Sequence, residues 1–246
     1  NFEPVIDGAN QKLPKAVITW SIVGIVAGIA GFFLTSSEFP DRAKANFLQN
    51  IVFWLGVAQG GFMLSVALTL SKGRWGRSLK RVSESFALFV PVIYVALIAF
   101  LATGGIDIFP WMHEDLPSHK KVYLTEPFFF WRQVGGLGLL IFLNLMYLRA
   151  SWRPDLGIMK EKLGDQAPSW WNFFTANWKG ADAEIEASEN SQRKWAAITA
   201  VTYSLVFSVV AVDLSMSLSP HWFANMFPAW FFMSSMWSGL VAIGIY

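Results

Sequence analysis

Six stretches of about twenty residues run almost without charge through this chain, and a backbone has few ways to accommodate them. They lie near Ala16–Leu34, Phe47–Leu70, Phe86–Thr103, Phe128–Leu148, Trp195–Leu214 and Phe227–Tyr246. At about 1.5 Å per residue, each is long enough as a helix to cross a hydrocarbon core of roughly 30 Å. Lipid offers no partner to a backbone amide, so a run of this kind closes its hydrogen bonds within itself as a helix. No strand-like alternation competes. The expected fold is all-α: a polytopic membrane protein of six transmembrane helices, with the second to fifth forming a four-helix bundle. Composition agrees, with 54% hydrophobic and 15% charged residues, where soluble domains carry about 25% charged.

Charge orients the spans. The side that holds the N-terminus carries Lys12, Lys15, Lys72, Arg74, Arg77, Lys80, Arg81, Arg149, Arg153, Lys160, Lys162, Lys179, Arg193 and Lys194. The other side has Arg42, Lys44, Lys120 and Lys121, with Arg132 just inside the fourth span. The excess of Lys and Arg marks the first side as cytoplasmic, so the expected topology is N-terminus-in, in a bacterial inner membrane. All three histidines, His113, His119 and His221, then fall on the opposite, periplasmic side.

Several chemistries drop out. With no cysteine there is no thiolate nucleophile, disulfide, iron–sulfur ligation or cysteine zinc site. A net charge of +2 is too small for a nucleic-acid partner. No histidine lies inside a span, as a bis-histidine haem requires, and no Glu-x-x-His pair marks a di-iron bundle. "HEDLPSH", His113–His119, reads as a solvated loop ahead of a metal clip. "GRWGRSLKRVSE", Gly73–Glu84, lacks the Gly-Lys-Ser/Thr ending of a phosphate loop; its basic residues set topology or meet lipid phosphates. The chain is thus expected to bind no haem or metal.

Polar residues within or beside the spans are the informative ones, because lipid disfavours them so strongly. Gln59, Glu84 and Asn144 are expected to turn towards the bundle interior, Gln59 and Asn144 as interhelical hydrogen-bond partners. Glu84 is placed at the start of the third span, as a cap or an ion pair with Arg81 or Lys80. Pro91 is expected to kink that span. Asp107, Glu126, Arg132, Asp213 and His221 gather at the mouths of the third to sixth spans, within a collar of Trp111, Trp131, Trp222 and Trp230. An ion-pair cluster and a proton or quinone site both fit that group. "DLSMSLSPHWF", Asp213–Phe223, is expected to fold back over the bundle mouth. Pro220 would stop the helix, Ser215, Ser217 and Ser219 would bond freed backbone groups, and Asp213 would point inward with Arg132 and His221 in reach. "GIVAG" (Gly24, Gly28) and "GVAQG" (Gly56, Gly60) fit the close-packing GxxxG pattern. "WWNFFTANW", Trp170–Trp178, is too short to span and reads as an interfacial segment or a partner contact.

Three stretches resemble one family. They are "FLQNIVFWLGVAQGGFMLSVALTLSKGRWGRSLKRVSESFALFVP", "FPWMHEDLP" with "YLTEPFFFWRQ", and "DLSMSLSPHWFANMFPAWFF", which is similar to an Asp-x-x-Met-Ser-Leu-x-x-His-Trp-Phe turn. Together they resemble the F subunits of alternative complex III, bacterial quinol:electron-acceptor oxidoreductases of respiratory or photosynthetic chains, within the NrfD-like polysulfide-reductase membrane-subunit superfamily. The resemblance implies about ten helices in two four-helix bundles, so a second bundle is expected to be absent or to lie outside these residues. It implies a sister membrane subunit, an iron–sulfur subunit and c-type haem subunits as partners, with the quinone pool and lipid around them. It also implies a role in framing the complex, in conducting protons or in contacting quinone. A non-catalytic scaffold and an independent transporter are the competing readings; no inverted repeat of the kind transporters show is found.

Overall fold

The computed structural model describes residues 14–73, 75–113, 122–164, 167–219, 221 and 224–245. Among them there is no strand, and six helices are long and apolar enough to cross a membrane. The protein is an all-α polytopic membrane protein, as its apolar runs require.

The chain divides into two units, residues 1–47 and 48–246. The first contains α1, Lys15–Glu38, and the beginning of α2, Pro40–Leu70. None of the α1 residues is buried, and a Cβ added at Gly24 or Gly28 would meet nothing within 4 Å. α2 starts seven residues before the apolar run because Pro40 and Asp41 suit a helix N-terminus, one with a preset φ and the other with its charge. It stops where Lys72 adopts a positive φ of 54° and the Gly73 amide bonds back to the Leu68 carbonyl at 2.9 Å.

In the second unit the third span is two helices, α3 (Arg77–Phe86) and α4 (Val90–Ala102), joined by a turn. This corrects the expectation of one helix from Phe86. Pro91 kinks nothing; it occupies the first turn of α4, where its missing N–H has no carbonyl to bond. Glu84 sits in the last turns of α3 and not at a helix start. Two short 3₁₀ turns, Gly105–Ile108 and Pro110–Met112, follow Gly104, whose φ is 81°.

The fourth and fifth spans are much longer than their apolar runs. α5 covers Glu126–Leu163 with Pro154 inside it, and α7 covers Ala181–Val210. Hydropathy detects the part of a helix that meets lipid, whereas these two continue past it as a pair. Between them, α6 (Trp171–Phe174) docks on α5. The Arg153 guanidinium donates to the carbonyls of Phe174, Ala176 and Asn177, and the Trp178 indole donates to Glu161 at 2.5 Å. The Trp170–Trp178 segment is thus part of the chain's own packing, with Trp170 and Phe173 still exposed.

α7 ends in a π-helical turn, Ala211–Ser215, and a 3₁₀ turn, Met216–Leu218. The sixth span, α8 (Phe227–Ile245), joins the bundle through small residues. A Cβ on Gly60 would lie 1.9 Å from the Ser235 carbonyl oxygen, and one on Gly239 1.9 Å from the Gly61 nitrogen. Backbone meets backbone there, so only glycine fits, and the second GxxxG pattern finds its partner in α8. The Tyr203 hydroxyl adds a 2.7 Å bond from α7 to the Phe232 carbonyl.

Candidate functional site

One face of α5 organises the polar interior. Gln133, Leu137, Leu140, Asn144, Tyr147 and Ser151 are all buried and recur every three or four residues, so they line one side of the helix. The polar members form three layers.

At the basic end, where Lys80, Arg81, Arg149 and Arg153 lie, the layer is built around Glu84. Its carboxylate is 0% exposed. One oxygen accepts from Ser65 Oγ at 3.1 Å and Ser151 Oγ at 2.5 Å; the other accepts from Arg81 Nη1 and Trp152 Nε1, both at 2.6 Å. Four donors from three helices satisfy a carboxylate that lipid alone would not tolerate. Two arms lead away from it. Arg81 also pairs with Asp155, which is exposed. Ser65 Oγ meets the Tyr147 hydroxyl at 2.7 Å, and that hydroxyl meets Thr69 Oγ1 at 2.7 Å. Ser83 fastens the layer by inserting its hydroxyl into α2, donating to the Gly61 carbonyl at 2.6 Å and accepting from the Ser65 amide at 2.8 Å. A vestibule of about 410 Å³, lined by Lys80, Arg81, Ser151, Asp155 and Gln192, opens beside Glu84. Two buried hydroxyls of α7, Ser188 Oγ and Thr199 Oγ1, have no hydrogen-bond partner among the described residues.

The middle layer is a closed pair. Gln59 and Asn144 exchange side-chain amide hydrogen bonds of 3.2 and 2.8 Å. Each amide spends a donor and an acceptor on the other, the interhelical bonding expected of both residues.

The third layer lies at the opposite end. Asp213, held in the π-helical turn, is 0% exposed and Arg132 is 12% exposed at its side chain. Arg132 Nε and Nη2 donate to the two carboxylate oxygens at 2.7 and 2.9 Å, and Gln133 Nε2 donates at 2.5 Å. The guanidinium is stacked 3.8 Å from the Tyr123 ring centroid, and its Nη1 donates to the Tyr123 carbonyl at 3.2 Å. Burial first, and then the negative Asp213, push the Tyr123 hydroxyl up to about 12 from 10.0. The π-helical turn is what aims Asp213 inward, one residue out of step with an α-helix. Ser217 Oγ donates to the freed Asp213 carbonyl, the role expected of a serine in this turn.

Asp213 and Arg132 are thus together, as expected. Asp107, Glu126 and His221 are exposed, whereas Asp213 is fully buried. Trp111 is no collar residue: it is buried against Phe109 and Phe129, at 6.0 and 5.4 Å. Trp131 and Trp230 are exposed as a collar requires. Pro220, Trp222, Phe223 and His119 lie outside the described residues. Among the described residues no group of His, Asp and Glu is arranged to hold a metal ion.

Sequence reading missed Ser65, Thr69, Tyr147, Ser151, Trp152 and Asp155. The signal was there in part: Ser65 and Thr69 are four apart on α2, and Asn144, Tyr147 and Ser151 share one face of α5. From Gln133 to Asn144, however, the α5 face carries only Leu137 and Leu140, both fully buried, over roughly 16 Å. That apolar stretch separates the Asp213 layer from the other two along α5. No family model and no curated protein matches the sequence.

Proposed function

We propose that the chain is an integral membrane subunit of a quinol-oxidising electron-transfer complex of the alternative complex III kind, with its basic end on the cytoplasmic side of a bacterial inner membrane. It frames the complex and moves protons at its basic end. Electrons travel through iron–sulfur clusters and c-type haems held by partner subunits. The observation that carries the proton role is the connected line Glu84–Ser65–Tyr147–Thr69, with hydroxyl contacts of 2.7 Å and a vestibule beside it. Hydroxyls that both donate and accept can relay a proton to and from a carboxylate.

Quinone contact has one favourable observation. A groove of about 260 Å³ between α5 and α7 is lined by Arg132, Gln133, Leu205, Val206 and Val209, and the buried Oε1 of Gln133 has no hydrogen bond among the described residues. A hydroxyl from an apolar-tailed quinol would satisfy that oxygen, while the valines and leucine suit the tail.

A scaffold role is favoured at the Asp213 end alone. There the carboxylate is held by a two-bond arginine fork and an amide, with Leu137 and Leu140 separating it from the inner layers.

The test uses the assembled complex. Glu84→Gln keeps the shape and removes the titratable carboxylate. Expected is a complex with its full subunit set, quinol turnover lowered about a hundredfold or more, the usual scale for a lost proton-transfer group, and fewer protons moved per electron. Wild-type turnover and proton yield in Glu84→Gln would remove the proton role. Purification of the chain without haem or iron–sulfur subunits would remove the complex.

A further inference from the structure

A second groove, of about 350 Å³, lies between α5 and α7 at the basic end. Its walls include Arg149 and Arg153 from α5, and Glu184, Ser188, Ser191 and Trp195 from α7. On each helix these residues fall three or four apart, so the groove follows the seam between the two.

The charges do not cancel. Glu184 is committed to Arg153 by bonds of 2.7 and 2.8 Å. Arg149 has no carboxylate partner among the described residues; its guanidinium rests 5.3 Å from the Phe173 ring centroid. Lys194, exposed and not part of the groove wall, stands 5.9 Å over the Trp195 ring. The site thus offers a planar guanidinium without a carboxylate partner to an anion.

The hydroxyls are unusual as well. Ser208, Ser235 and Ser238 each bond the carbonyl four residues back along the chain. Ser188 makes no such bond: its Oγ has no partner among the described residues, although the residue is only 4% exposed. It stands in the wall that this groove shares with the vestibule beside Glu84. An unsatisfied buried hydroxyl is costly unless a ligand supplies the acceptor.

Depth narrows the ligand. Arg149 is 23 residues along α5 from Glu126, about 34 Å of helix, so the groove lies at the headgroup level when the other end of α5 lies at the far interface. Trp195 beside Lys194 is the pairing found at such interfaces. Below the groove Phe142 packs edge-on against Trp195 at 6.5 Å, and Phe142 and Ile198 stay exposed, an apolar track for an acyl chain.

We propose that this groove is a phosphate-binding site for the headgroup of an anionic phospholipid, with free phosphate as the other source of the same group. Arg149 supplies the charge, and Ser188 and Ser191 donate to phosphate oxygens. The proposal does not depend on the proton role or on the complex.

The full chain in mild detergent, stripped of lipid, is titrated with dioleoylphosphatidylglycerol, dioleoylphosphatidylcholine or inorganic phosphate at constant ionic strength. Binding is read by native mass spectrometry and by melting temperature. Expected is one phosphatidylglycerol retained about tenfold more tightly than phosphatidylcholine, with millimolar phosphate neither stabilising nor competing. Competition by inorganic phosphate would assign the site to the soluble anion. Arg149→Gln should lower the affinity about tenfold, while Arg193→Gln should leave it unchanged because Arg193 is paired with Glu189. Ser188→Ala guards against a folding artefact. It should weaken binding with no loss of lipid-free melting temperature, since it removes a hydroxyl that the protein does not satisfy. Equal retention of both lipids, or wild-type affinity in Arg149→Gln, would overturn the site.

Discussion

Removing Arg132 should harm this protein far more than removing its partner. Arg132 supplies two of the three short bonds on the Asp213 carboxylate, and Asp213 is fully buried. Arg132→Met keeps the apolar stem and leaves a buried carboxylate with no cation, held only by the neutral Gln133 amide and Tyr123 hydroxyl. Stranding a buried charge in this way costs about 3–5 kcal/mol, or roughly a hundred- to four-thousand-fold in the unfolding constant. Asp213→Leu strands the arginine instead. Arg132 lies near the start of α5 with its side chain 12% exposed, so it can turn its head towards the interface. That escape holds the expected cost to about 1–2 kcal/mol. Arg132→Met combined with Asp213→Leu removes both charges and should lie within about 1 kcal/mol of Asp213→Leu alone, giving a coupling of at least 2 kcal/mol. Equilibrium unfolding in mixed micelles, followed by tryptophan fluorescence, measures all four corners of the cycle. Additive costs, or an Arg132→Met cost no greater than that of Asp213→Leu, would refute the view that burial of the carboxylate sets the energetics at this end.

The glycine contacts give a second comparison. Gly60→Ala drives a Cβ into the Ser235 backbone and should destabilise α8 docking by about 1–3 kcal/mol, while Gly24→Ala, which meets nothing, should change the melting temperature little. In the middle layer Gln59→Leu or Asn144→Leu leaves a buried amide unpaired and should cost about 1–2 kcal/mol in the same unfolding assay, with the double variant recovering most of the loss. For topology, a cysteine replacing Ser118 should react with an impermeant maleimide from the periplasm and one replacing Ser78 should not; the reverse pattern would place the basic end outside.

Lipid determines what a linear reading can see. The cost of exposing a charge or an amide to hydrocarbon is local, so the apolar runs by themselves located six spans. The same rule turned Gln59, Glu84 and Asn144 inward. Small residues at Gly56 and Gly60 signalled a close contact without naming the helix that makes it. What satisfies each buried group is decided by packing. Glu84 meets Ser65, Ser151 and Trp152, which are 19, 67 and 68 residues away, and Asp213 meets Arg132 across 81. No periodicity carries such pairings, because they follow from how helices cross and not from the order of side chains along one of them. Helix lengths outside lipid belong to the same class. α5 and α7 continue past the membrane because Arg153 and Glu184, Trp178 and Gly157, and the α6 segment hold them together, and hydropathy is silent where water and protein compete on equal terms. The inward turn of Asp213 likewise needed a π-helical step at the end of α7, a register change that only the folded bundle could select.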